Sequence, residues 1–175
     1  MEKNLLAKNG GKGFTVVELL MTVTVIGILA IQAIPSFNQL IQSVRIRAAS
    51  SDLERTLRLG RRHALARGEL IRLCPSVDGD TCTLENKWQA GWIMFADRAG
   101  GTRRDPDDPI LLAHDRLTGL LIEYNRGTLL SFNSRGRISR NGSFHLCMPS
   151  RPEASVRLVM IHSGRLRLEQ QRSIC

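Results

Sequence analysis

Arg165 and Arg167 stand two residues apart near the end of a 175-residue chain, inside the element Gly164-Arg165-Leu166-Arg167. On a β-strand such residues share a face and lie roughly 6–7 Å apart. Two guanidinium groups so placed offer bidentate donors to successive anionic groups along a polymer, phosphates above all. The surrounding sequence adds to this charge. From Arg126 to Cys175 there are nine arginines against two acids, Glu153 and Glu169. Arg135, Arg137 and Arg140 form a second basic run, and Arg172 extends the first. Gly164 lets a turn bring an anion close to the backbone. The chemistry expected is capture of a polyanion. It should be salt-sensitive and indifferent to sequence, because phosphates carry no sequence information. The competing reading is a solvated strand face, or arginines that pair with acids on a neighbouring protein.

Little else in the chain could do chemistry. The formal net charge is +9, carried by 21 arginines and only 4 lysines, three of which fall in the first 12 residues. His63, His114, His145 and His162 are scattered, and no serine sits in a nucleophile elbow. No phosphate-cradling glycine loop is present, so an enzyme is not expected, nor a cofactor. The four cysteines, Cys74, Cys82, Cys147 and Cys175, contain no Cys-x-x-Cys pair and so do not suggest a metal site. An even count in a small exported domain reads as two disulfides. Three pairings are possible. Cys74–Cys82 with Cys147–Cys175 would close one short loop and pin the C-terminus.

The elements that must position these residues begin with a segment of a different kind. Residues 1–13 are short, polar and basic, and Phe14–Pro35 is a largely apolar run in which only Glu18 is charged. About 20 apolar residues suffice to cross a bilayer as a helix. Positive charge ahead of the span predicts that residues 1–13 stay cytoplasmic and the rest lies outside. An ordinary secretory signal is cut after its apolar run. Here a Gly13–Phe14 junction precedes the run, so cleavage there would retain the helix. A carboxylate within lipid is costly and commonly functional, which singles out Glu18.

Beyond a kink expected at Pro35, Ile46, Ala49, Leu53, Leu57, Gly60 and Ala64 recur at helical spacing, with arginines over much of the remaining surface. Gly68 is placed to end this helix. From residue 69 the period becomes two. Strands are expected near Leu70–Cys74, Gly91–Ala96, Ile110–His114, Leu120–Tyr124, Thr128–Phe132, Ser143–Cys147, Val156–His162 and Arg165–Glu169. Asp97–Pro109 reads as a mobile loop, Ser163-Gly164 as a hairpin turn, and Trp88, Trp92 and Phe95 as core. Leu166 and Leu168 should face inward, opposite Arg165 and Arg167. The division that follows is a leader (1–13), a transmembrane and assembly helix (14–35), an amphipathic half-helix (36–68) and a β-rich head (69–175). A long helix against an antiparallel sheet is an α+β arrangement.

Gly13, Phe14, Thr15 and Glu18 resemble the prepilin cleavage motif of type IV pilins and type II secretion pseudopilins. The order Leu73-Cys74-Pro75, Asp78-Gly79, Cys82, Trp88, Gly91-Trp92 and Phe95 is similar to the branch that holds FimT, FimU and GspH proteins. Phe132…Gly136, Phe144-x-Leu146-Cys147 and Gly164-Arg165-Leu166-Arg167 extend that likeness along almost the whole chain. The resemblance implies the type IV pilin fold, cleavage after Gly13 by a prepilin peptidase, and N-methylation of Phe14. It also implies pairing of the new Phe14 ammonium with Glu18 of a neighbouring subunit. The partners implied are major and minor pilins, the peptidase and the inner membrane. The protein would sit there as a single-pass subunit with its head in the periplasm, then pass to the pilus and cell surface. The Gly-Arg-x-Arg element resembles that of FimT-type pilins, which bind DNA in natural transformation. It implies non-specific backbone contacts by Arg165 and Arg167. Two alternatives share the fold: a structural minor pilin that primes pilus assembly, and an H-type pseudopilin of type II secretion.

Overall fold

Residues 13–101, 103–171 and 175 are described by a computed structural model, with residues 31–36, 151–153, 170 and 171 described by their backbone alone. The described residues divide into two units at Leu40/Ile41. Helix α1, Val16–Arg67, is 52 residues long and continues through Pro35. Thr15 caps its start. The Glu18 amide donates to the Thr15 hydroxyl at 3.2 Å, and the Leu19 amide donates to the Thr15 carbonyl at 3.1 Å.

In the first unit the side chains from Val16 to Ala30 are all exposed, and most are apolar. Two of the polar exceptions are satisfied internally: the Thr22 and Thr24 hydroxyls donate to carbonyls three or four residues back. Among the described residues no helix is long and apolar enough to cross a membrane.

The second unit holds the rest of α1 and eight strands: β1 (Leu70–Pro75), β2 (Trp92–Asp97), β3 (Ile110–His114), β4 (Leu121–Tyr124), β5 (Leu130–Phe132), β6 (Gly142–Met148), β7 (Arg151–Met160) and β8 (Leu166–Gln171). They form two antiparallel sheets of four, ordered β3-β2-β1-β5 and β4-β6-β7-β8. The helix stripe supplies one wall of a common core. Ile46, Ala49, Leu53, Leu57 and Ala64 meet Ile71, Leu73, Met94 and Phe132 of the first sheet, and Ile122, Phe144, Leu146, Leu158 and Met160 of the second. Gly60 allows the closest approach of helix to sheet. A Cβ there would lie 3.2 Å from Met94 Sδ and 3.3 Å from both Leu73 Cδ1 and Phe132 Cε2. Gly68 ends the helix at φ 67°, its amide donating to Ala64 at 3.0 Å.

All six residues of β2 are buried. Trp92, Met94 and Ala96 enter the main core, whereas Ile93 and Phe95 join Cys74 in a second cluster packed by Cys82 and Leu129. Trp88 meets Phe144 edge-on at 4.9 Å between ring centroids, and Tyr124 stacks on Phe144 at 4.5 Å. Burial pushes the Tyr124 hydroxyl pKa up from its ordinary value.

Disulfides join Cys74 to Cys82 and Cys147 to Cys175, with Cα separations of 5.6 and 5.8 Å. The first closes a loop knotted by Asp78. Its carboxylate accepts from the Thr81 hydroxyl (2.6 Å), the Thr81 and Asp80 amides (2.8 and 2.9 Å) and the Ser76 hydroxyl (2.9 Å). These donors, the Thr81 hydroxyl first, hold the Asp78 carboxyl well below the usual carboxylate range. A depressed folded-state pKa stabilises the loop above the unfolded value of about 3.9, and that stabilisation is lost as pH falls through the folded value. Protection of the Asp80 and Thr81 amides from hydrogen exchange, corrected for intrinsic rates, should therefore be flat above about pH 4 and decline below it. In Asp78→Asn the decline should vanish; a persisting decline would place the titration elsewhere.

The segment expected to be a mobile loop, Asp97–Pro109, is instead tied down. Buried Asp108 accepts from the Arg98 amide at 3.0 Å and the Asp105 amide at 3.1 Å, and Arg104 pairs with Asp80 at 2.9 Å. Two further differences concern strand ends. β7 begins at Arg151, five residues before the expected Val156, because a polar stretch pairs there beyond a register shift between Cys147 and Met148. β8 starts at Leu166 rather than Arg165.

Candidate polyanion-binding groove

Three chain segments meet at one corner of the second unit. Tight turn 133–136 follows β5, with the Gly136 amide donating to the Asn133 carbonyl at 2.7 Å. The Asn133 side-chain oxygen accepts the Arg135 and Arg137 amides, both at 3.0 Å, so both arginines are fixed in backbone and exposed in side chain. The Ile138 amide reaches the His162 carbonyl at 3.1 Å, which fastens this turn to the β7–β8 turn. Asn141, beside exposed Arg140, accepts the His162 amide at 2.6 Å.

The third segment is α1. Arg61 Nε donates to the Gly136 carbonyl at 3.2 Å. Gly164, at φ 75°, packs under the same pair: a Cβ there would overlap the Gly136 carbonyl oxygen and lie 2.8 Å from Arg61 Nε. The glycine expected to admit an anion is therefore occupied by protein, buried against Gly136 and Arg61.

Outside this knot opens a groove of about 750 Å³, walled by α1 on one side and by Gly164, Arg165 and Leu166 on the other. Arg55, Arg58, Arg61, Arg62 and Arg165 line it, with Glu54 as the single acid. Glu54 accepts from Arg58 at 2.9 and 2.5 Å. Arg55, Arg62 and Arg165 have no ion-pair partner among the described residues. Sequence reading saw the helix arginines only as the polar side of an amphipathic helix. Their signal was present in the sequence: four arginines between positions 55 and 62 with only Glu54 beside them.

The structure brings Arg135, Arg137, Arg140 and Gly164 to this corner with Arg165, but treats Arg167 differently. Arg167 lies on β8 with its side chain 80% exposed, and its Nε faces Glu169 at 3.6 Å. Such an exposed pair is weak and leaves Arg167 available. Leu166 packs against the core, but Leu168 is 48% exposed, contrary to the expected inward alternation. Arg172 lies outside the described residues.

At the other end of the chain, Gly13 and Phe14 precede α1, are exposed, and are not helical. Glu18 sits in the first turn of α1, exposed, without an ion-pair partner among the described residues. Among the described residues no cluster of His, Cys, Asp and Glu could hold a metal ion.

Comparison with known proteins gives one family and several relatives. The profile described as "Type II transport protein GspH" matches residues 49–164. A crystal structure of the type IV minor pilin FimU of Pseudomonas aeruginosa (strain PAO1) superposes with TM-score 0.56 and 21% identity, covering 70% of this chain and 91% of that one. The minor pseudopilin EpsH of the Vibrio cholerae type 2 secretion system superposes with TM-score 0.51 and 15% identity, covering 72% and 97%. The type IV major fimbrial protein FimA of Dichelobacter nodosus is 29% identical over 133 residues, 67% of this chain and 68% of its own.

Proposed function

Because the chain belongs to the GspH family of type IV minor pilins and pseudopilins, we propose that it is a minor pilin that binds DNA during natural transformation, through the arginines around the β7–β8 turn. The observation that carries this reading is the convergence of Arg135, Arg137, Arg140 and Arg165 on one corner, with Arg167 next to it on β8. Family membership does not supply it, since the matched segment stops at Gly164, one residue before the Arg165–Arg167 pair.

The first unit fits insertion and processing. In this reading a prepilin peptidase cuts after Gly13, Phe14 is N-methylated, and Phe14–Pro35 anchors the chain in the inner membrane with its head in the periplasm. An exposed, non-helical Gly13–Phe14 bond is accessible to a peptidase. An apolar helix whose threonine hydroxyls are satisfied within it suits lipid or a filament core. Glu18 then pairs with the Phe14 ammonium of a neighbouring pilin as the subunit joins the pilus.

A second reading is a structural minor pilin that primes assembly, favoured by the FimU superposition and by the use of Arg61 within the head itself. DNA affinity separates the two. The full chain in neutral detergent should bind a short duplex, with affinity falling steeply from about 50 to about 200 mM salt. Arg165→Gln/Arg167→Gln should weaken binding and flatten the log–log salt dependence by about 1.8 units, about 0.9 for each lost phosphate contact. A wild-type chain that binds no DNA, or a variant with an unchanged slope, leaves the structural reading in place.

A further inference from the structure

The helix wall of the groove extends the site beyond the C-terminal motif. We propose that one phosphodiester backbone of DNA lies along α1, held by Arg55, Arg58 and Arg62 on the helix side and by Arg165 on the β8 side. This rests on the DNA-binding reading and adds to it a second, helical contact surface.

Three observations carry it. The first is charge. Arg55–Arg58, Arg58–Arg61 and Arg58–Arg62 are i,i+3 and i,i+4 neighbours, and like charges at these spacings repel on a helix surface. Among the described residues only Arg58 of these has an ion-pair partner, Glu54. Arg61 is engaged through Nε with the Gly136 carbonyl and keeps its charge. Five guanidinium groups around one open groove with one carboxylate call for an anionic occupant.

The second is spacing. Arg55, Arg58 and Arg62 climb α1 by about 4.5 and about 6 Å, at ~1.5 Å per residue. They make a row parallel to the helix axis, suited to a chain of charges rather than to a single ion.

The third is the floor. Leu59, Leu65 and Leu166 line the groove between the arginines, which gives apolar surface for deoxyribose beneath a rim that binds phosphate. An acidic segment of another pilin would use the same charge. Continuity with Arg165 favours DNA, because one strand can touch both walls.

The test compares the salt dependence of duplex binding by the full chain in neutral detergent. It uses wild type, Arg55→Gln/Arg62→Gln, Arg165→Gln/Arg167→Gln, and a control on the same helix outside the groove, Arg45→Gln/Arg47→Gln. Arg55 and Arg62 are exposed and hold no ion pair among the described residues, so folding should be unaffected, as circular dichroism and melting will verify. The expected result is a log–log slope about 1.8 units shallower for Arg55→Gln/Arg62→Gln, with the control within about 0.5 of wild type. Two outcomes overturn this inference alone: an unchanged slope in Arg55→Gln/Arg62→Gln while Arg165→Gln/Arg167→Gln is impaired, or an equal loss in the control. The first would assign the helix arginines to pilin contacts, the second to net charge. Absence of binding by wild type overturns the underlying DNA reading as well.

Discussion

Gly164→Val should cost at least about 3 kcal/mol of stability, far more than the same substitution at Gly68. Both glycines have positive φ, 75° and 67°, so a β-branched residue meets backbone strain of roughly 1–3 kcal/mol at either place. At Gly68 no atom lies within 4 Å of a new Cβ. At Gly164 the Cβ alone overlaps the Gly136 carbonyl and approaches Arg61 Cδ to 2.9 Å, before the valine methyls are added. Neither neighbour can yield cheaply. The Gly136 carbonyl belongs to a hydrogen-bonded turn, and Arg61 is held by that same carbonyl. The substitution must push the β7–β8 turn away from α1 and so widen the groove. Urea unfolding of the two variants measures the difference. On the DNA-binding proposal, duplex affinity assayed where Gly164→Val is still folded should fall with it, because Arg165 moves away from the helix arginines. Equal stabilities for the two variants would mean that the corner is looser than its contacts imply.

That corner also marks where sequence reasoning stops. The helix stripe was legible because a 3.6-residue period has one physical cause, burial of one face, and all six residues from Ile46 to Ala64 are buried. The strands were legible in number and order, their ends less so. β7 starts in a polar stretch, Arg151–Ser155, because backbone pairing to β6 and β8 does not require apolar side chains. Leu168 shows the opposite error. Alternation predicts an inward leucine, but β8 is an edge strand, and Leu168 is left half-exposed there although its cross-strand partner Leu158 is buried. The groove itself was illegible. Arg55–Arg62 and Arg165 lie about a hundred residues apart in sequence, and what joins them is a backbone carbonyl at Gly136 that no side-chain pattern reports. The Asp97–Pro109 loop was misread for a related reason. Its glycines and prolines suggest freedom, whereas Asp108 and Arg104 supply its restraints through contacts with backbone and with Asp80.

Asp97 is the second position where one substitution should have a large effect. Its side chain is fully buried and faces Arg72 Nε at 2.7 Å, with Arg72 itself only 12% exposed. Asp97 also accepts the Gly100 amide at 2.7 Å, and Arg72 donates to the Gly101 carbonyl, so the pair anchors the start of the loop after β2. Neither Arg72 Nε nor Asp97 Oδ2 finds a directed hydrogen bond, so their contact is chiefly one of charge. Removing one partner strands a buried charge, and breaking such pairs costs about 3–5 kcal/mol. Asp97→Ala should lose that amount and free the 98–109 loop, seen as raised exchange of the Arg98 and Gly100 amides. Restoring electrical balance should recover much of the loss. Arg72→Met/Asp97→Ala is expected to be more stable than Asp97→Ala alone, because the stranded Arg72 charge then no longer has to be desolvated. A double variant no more stable than Asp97→Ala would show that the aspartate acts through the Gly100 hydrogen bond. The arginine groove offers an internal check: neither Arg72 nor Asp97 lines it, so the salt slope of the proposed duplex binding should stay unchanged in both variants that remain folded.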